Sequence, residues 1–101
     1  MNKSYKNLIL VLIYQTSGRW SWYQLERELE WRGIGGKIKV TDIIAELVAE
    51  DLVYEETNPS LGAGIPYCSV TDDGAKRVRE LVNEFGAESF ERKKESTSDY
   101  E

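Results

Sequence analysis

The chain has 101 residues, a net charge of −5, 41% apolar residues, one cysteine and no histidine. That length suits one domain, and the apolar fraction suits a packed chain rather than a disordered one. Cys68 alone excludes an intramolecular disulfide framework and fits a reducing cytoplasm. Without histidine the commonest general base and metal ligand are missing, and no thiolate–imidazole zinc site can form. No P-loop or GxGxxG occurs, since no GK[ST] follows Gly33, Gly35 and Gly36. The paired carboxylates Glu26/Glu30 and Asp72/Asp73 read as solvated faces. The chain is therefore expected to be neither an enzyme nor a cofactor protein.

In chain order, Ser4–Thr16 reads as a first helix. Leu8, Leu12 and Gln15 share one stripe, and Ile9, Leu10, Val11 and Ile13 fill the rest. A helix apolar all round is buried on several sides, or leaves a face for a second subunit. The run Leu8–Tyr14 behind Lys3 and Lys6 also resembles a short signal peptide. It is too short to span a bilayer, and Gln15-Thr16-Ser17-Gly18 offers no small-residue cleavage site, so a buried helix is the preferred reading.

Ser17-Gly18 should end that helix. Ser21 followed three residues later by Gln24 matches a capping box, opening a second helix from Trp22 to about Arg32. Trp22, Leu25, Leu29 and Arg32 fall on one face of it. Gly33-Ile34-Gly35-Gly36 breaks the pattern. A third helix is expected over Ile38–Glu50, with Val40, Ile43, Ile44, Leu47 and Val48 on the core side.

Leu52–Glu56 and Tyr67–Thr71 read as strands, joined by a connection holding Asn58-Pro59, Gly62, Gly64 and Pro66. Thr71 or Asp72 should cap a fourth helix, about Asp73 to Phe85, with Ala75, Val78, Leu81, Val82 and Phe85 as its apolar stripe. Residues 87–101 are polar and charged and read as a flexible tail, with Phe90 as a possible contact to a partner. The organisation is thus a domain over residues 1–86 and a tail. Its class is α+β: a three-helix core, a two-stranded hairpin and a C-terminal helix, the layout of a winged helix-turn-helix.

Four features carry a family resemblance. They are the apolar first helix ending in Ser17-Gly18, Tyr23-x-Leu25, Ile43-x-x-x-Leu47 with Leu52-Val53, and Tyr67-x-x-Val70-Thr71-x-x-Gly74. In these the chain resembles the PadR-like winged-helix transcription regulators over about Leu8–Val82. The resemblance implies a cytoplasmic, homodimeric regulator that binds duplex DNA with its third helix. It also implies that Thr71 caps the last helix and that Gly74 allows close packing at its first turn. The family's wing usually carries Arg or Lys before its aromatic strand, whereas Asn58–Pro66 carries no charge here.

Charge selects the expected DNA contacts. Residues 1–35 carry Lys3, Lys6, Arg19, Arg27 and Arg32 against Glu26, Glu28 and Glu30, a net +2. Residues 36–56 carry Lys37 and Lys39 against Asp42, Glu46, Glu50, Asp51, Glu55 and Glu56, a net −4. Phosphate neutralisation dominates DNA affinity, but a local basic patch can supply it. Recognition helices present their N-terminal residues to base edges. Lys37, Lys39 and Thr41 are therefore the expected DNA contacts, with Arg27 and Arg32 on phosphates; the alternative is that these are ordinary solubilising charges.

Asp42, Glu46 and Glu50, spaced four apart, form one acidic stripe. It is a solvated face, or it binds a basic partner, in which case the domain is a protein-interaction module without DNA binding. Trp20, Trp22, Tyr23 and Trp31 cluster around the second helix. They read as core packing, with a partner surface or a ligand pocket as alternatives. Cys68 reads as structural.

Overall fold

The computed structural model describes residues 2–34, 36, 38–57, 66–86 and 90. Among them the order is α1 (Asn2–Gln15), α2 (Trp22–Trp31), α3 (Val40–Ala49), β1 (Val53–Glu56), β2 (Tyr67–Val70) and α4 (Asp72–Phe85). The architecture is α+β: four helices and a two-stranded antiparallel sheet. No described helix is long and apolar enough to cross a membrane.

The first helix is the centre of the domain. Ile9, Leu10, Val11, Leu12 and Ile13 are all buried, which requires neighbours on every side. Those neighbours are α2, α3, α4 and β2 of the same chain. The all-round apolar run is therefore used up by one copy of the chain. At about 1.5–3 kcal/mol for each fully buried aliphatic side chain, this helix is the largest single source of hydrophobic stabilisation.

Local signals set the ends of the other elements. In α2 the Ser21 Oγ accepts from the Tyr23 N–H at 3.3 Å, while the Gln24 Oε1 accepts from the Ser21 N–H at 2.9 Å, completing the capping box. The helix closes where Gly33 takes φ +83°. The Gly33 N–H donates to the Glu30 carbonyl and the Ile34 N–H to the Leu29 carbonyl, the Schellman pattern that a left-handed residue makes possible. The third helix ends in the same way on a residue that is not glycine. Asp51 takes φ +63°, its N–H donates to the Val48 carbonyl, and the Leu52 N–H donates to the Leu47 carbonyl.

The strands pair Val53 with Val70, Tyr54 with Ser69, Glu55 with Cys68 and Glu56 with Tyr67. A further rung lies on the other edge of β2. The Cys68 N–H donates to the Trp20 carbonyl and the Gly18 N–H to the Cys68 carbonyl, both at 2.8 Å. The connection between α1 and α2 is thereby tied to the sheet.

Thr71 caps α4, its Oγ1 accepting from the Gly74 N–H at 3.0 Å. The same hydroxyl donates to the Asp51 carbonyl at 2.7 Å, joining the end of α3 to the start of α4.

Three positions depart from the expected pattern. Val48 is 41% exposed, because α3 packs through Val40, Ile43, Ile44 and Leu47, and Val48 lies at the edge of that face. Phe85 is 52% exposed: α4 buries Val78 and Leu81, and Phe85 lies at the C-terminal end of that stripe. Phe90, placed in the expected tail, is instead buried with the core cluster. The connection 58–65, which holds most of the expected wing, and residues 91–101 of the tail lie outside the described residues.

Candidate nucleic-acid interface

The first turn of α3 carries two of the expected contacts. Lys39 is the N-cap residue, exposed, with extended backbone and no side-chain cap hydrogen bond. Its carbonyl accepts from the N–H groups of Asp42 and Ile43, so the backbone opens the helix. Thr41 follows two residues later, also exposed. Lys37 lies outside the described residues.

The two arginines of the second helix region have different environments. Arg27 is exposed on α2, its Nη1 donating to the Tyr23 hydroxyl at 3.2 Å, with the guanidinium carbon 5.7 Å from the Tyr23 ring centre. That hydrogen bond, followed by the charge interaction with the same phenol, raises the Arg27 pKa above its ordinary value. Arg27 is therefore a permanent, pre-positioned surface cation. Arg32 is turned inward. Its Nε donates to Glu28 Oε2 at 2.9 Å, and the two side chains are only 12% and 9% exposed. The spacing from Glu28 to Arg32 is the i,i+4 signature of a helical ion pair, legible in the sequence.

The acidic stripe divides likewise. Lys6 of α1 forms ion pairs with Glu46, at 3.5 Å, and with Glu50. Asp42 remains exposed on the first turn. Successive residues turn about 100° around a helix, which places Glu50 about half a turn from Thr41. Thr41, Ala45, Val48 and Ala49 are all exposed on that side, with the exposed Asp42 next to Ala49 in projection. Beside this edge a cleft of about 170 Å³ is bounded by Trp22, Thr41, Ile44, Ala45 and Glu55, joining α2, α3 and β1.

No protein-family model, characterised protein or solved structure matches this chain.

Across residues 38–57, Lys39 is the only cation, against Asp42, Glu46, Glu50, Asp51, Glu55 and Glu56, all of them exposed. The described surface of α3 and β1 is therefore acidic beyond its first turn. The aromatic cluster splits too. Trp20 and Trp22 pack against the core, whereas Tyr23 and Trp31 are 47% and 69% exposed. The ring edges of Trp22 and Tyr23 meet at 86° with centres 5.9 Å apart.

A second cleft, about 380 Å³, lies between α1, α3 and α4. Leu10, Leu47, Leu52 and Leu81 form its apolar lining, with Lys6, Glu50, Arg77 and Glu84 among its charged residues and the exposed Phe85 at its side. Sequence reasoning missed this cleft and the role of Lys6, because Lys6 and Glu50 are 44 residues apart and no local spacing links them.

Cys68 is buried on β2. Burial, and secondarily the carboxylate of Glu55 opposite it in the sheet, pushes its thiol up to about 12. At neutral pH it is a protonated, apolar packing group.

Proposed function

We propose that this chain is a winged helix-turn-helix protein of the PadR-like kind, a cytoplasmic transcription regulator that binds duplex DNA with α3. The reading is carried by one arrangement. The third helix packs on α1 and α2, runs directly into the antiparallel pair β1–β2, and leaves Lys39 and Thr41 exposed on its first turn. A helix held from behind in this way can enter a major groove with its N-terminal turn foremost. Lys39 and Arg27 then supply the charge, with Lys37 as a third candidate. Arg32 is committed to Glu28 and serves the fold instead.

In the same reading the chain acts as a homodimer. The cleft flanked by the exposed Phe85, apolar at its base and charged at its rim, is the surface a second copy would cover, since the run Ile9–Ile13 is already buried. Sedimentation of the protein with and without Phe85→Ser tests this, with a dimer-to-monomer shift expected.

DNA binding is tested by fluorescence anisotropy on a mixed duplex pool at low salt. Salt-sensitive binding is expected, weakened by Lys37→Glu with Lys39→Glu. Absence of binding to every duplex would sink the proposal.

A second reading is favoured by the acidic surface of residues 42–56: a protein-interaction module that takes a basic partner and has no DNA role. A sequence-specific DNA footprint on α3 would rule it out.

A further inference from the structure

We infer that the cleft between α2, α3 and β1 is a docking site for an arginine side chain carried by a basic protein segment. The inference rests on the second reading above, an acidic surface that takes a basic partner, and gives that surface one specific seat.

Side chains alternate across a strand, so Glu55 shares a face of β1 with the buried Val53, and Glu56 lies on the other face. Glu55 is thereby brought to the cleft, beside Trp22, Ile44 and Ala45. Among the described residues no ion pair involves it, and no lysine or arginine lines the cleft. The acidic stripe of α3 differs, because Lys6 already answers Glu46 and Glu50 there. A carboxylate beside apolar walls, with no cation opposite it, attracts an incoming cation more strongly than one surrounded by water.

The other walls select which cation fits. An indole ring attracts cations over its face, arginine more often than lysine. The apolar stem of an arginine can lie along Ile44 and Ala45 while its charged head stays at the mouth. Its planar guanidinium carries five N–H donors, enough for both oxygens of Glu55 and for the Thr41 hydroxyl. Size decides the class of occupant. At about 170 Å³ the cleft is smaller than the ~300–1,000 Å³ of small-molecule pockets, so it suits one side chain rather than a free metabolite. The exposed carboxylates of Asp42, Asp51 and Glu56 on the surrounding surface would steer a basic segment toward it.

The test titrates the full, isotope-labelled chain with two blocked peptides, followed by nuclear magnetic resonance. One is acetyl-Ala-Ala-Arg-Ala-Ala-amide; the other replaces its arginine with citrulline, which keeps the shape and loses the charge. The arginine peptide should shift the Trp22 indole N–H and the amides of Thr41, Ala45 and Glu55, and the citrulline peptide should not. Glu55→Gln should weaken binding about fivefold, the upper value for an exposed ion pair. Glu56→Gln removes the same charge from the other face of the strand and should leave binding nearly unchanged. Ala45→Leu, an exposed and helix-favourable change, fills the cleft without altering any charge and should abolish binding. Equal losses in the two glutamine variants, or full binding by Ala45→Leu, would overturn the inference and leave a diffuse acidic attraction standing. So would binding only of a longer peptide with three arginines, with shifts away from the cleft. Failure to bind either arginine peptide would defeat the basic-partner reading and the inference with it.

Discussion

The Cα of Gly74 lies directly against the carbonyl of Leu52: a Cβ at this position would stand 1.9 Å from the Leu52 oxygen and 3.2 Å from the Val70 Cβ. The same carbonyl accepts the Thr71 N–H at 3.0 Å. The obstructing atom is backbone and is held by a hydrogen bond, so it cannot swing aside as a flexible side chain would. Gly74→Ala should therefore force α4 away from the start of β1, costing about 2 kcal/mol as overpacking does. Thermal unfolding should show Tm lowered by on the order of 10 °C. An unchanged Tm would mean that α4 shifts without cost.

The Glu28–Arg32 pair gives a second expectation. Both side chains are nearly buried, so removing one partner leaves the other charge short of solvation. Glu28→Ala should cost about 2–3 kcal/mol in urea unfolding. Replacing both residues with methionine should recover most of this, because no charge is then stranded. Equal losses in the single and double variants would show that the two groups are not coupled.

Local chemistry made much of this fold legible in the sequence. The capping box of Ser21 and Gln24, the Thr71 cap and the Gly33 stop each involve residues within a few positions of one another. The close packing at Gly74 was expected only through the family resemblance, since its partner Leu52 is distant in sequence. Other features are tertiary and left no spacing to read. Trp20 joins β2 because α1 ends beside the sheet. Lys6 reaches Glu46 and Glu50 because α1 crosses the end of α3. Val48 and Phe85 fit their apolar periods yet sit at the edges of the faces that are covered. At the candidate site, sequence placed Lys39, Thr41 and Arg27 on the surface. It grouped Arg32 with them because a charge seen alone does not reveal that Glu28 goes inward with it.

Asp51 closes α3 in a left-handed conformation, φ +63°, that side chains with a Cβ adopt at a cost. The hydrogen bonds of this turn use its backbone: the N–H donates to Val48 and the carbonyl accepts from Thr71. Glycine can keep both and relieve the strain. Asp51→Gly should therefore stabilise the domain by about 0.5–1 kcal/mol, less whatever entropy the unfolded glycine chain gains. Chemical denaturation should show the midpoint rising. A midpoint that falls would mean that the Asp51 side chain contributes more than its backbone geometry costs.

Cys68 predicts the alkaline limit of stability. In the unfolded chain the thiol ionises near its ordinary value of 9.0, whereas in the fold burial, assisted by Glu55, holds it up to about 12. Below pH 9 neither state carries a thiolate, and the buried thiol contributes its full packing. Between pH 9 and 12 the unfolded chain releases a proton that the folded chain retains, so unfolding becomes progressively easier as pH rises. The measurement is a comparison with Cys68→Ala, in which contributions common to both proteins cancel. The native protein should lose more stability across this window than Cys68→Ala, although Cys68→Ala should be the less stable of the two at neutral pH because it leaves a small void. At neutral pH the folded thiol should resist a thiol-directed reagent that modifies the unfolded chain readily. Parallel pH profiles for the two proteins, or rapid modification of the folded chain, would show that Cys68 is not shielded as its place on β2 implies.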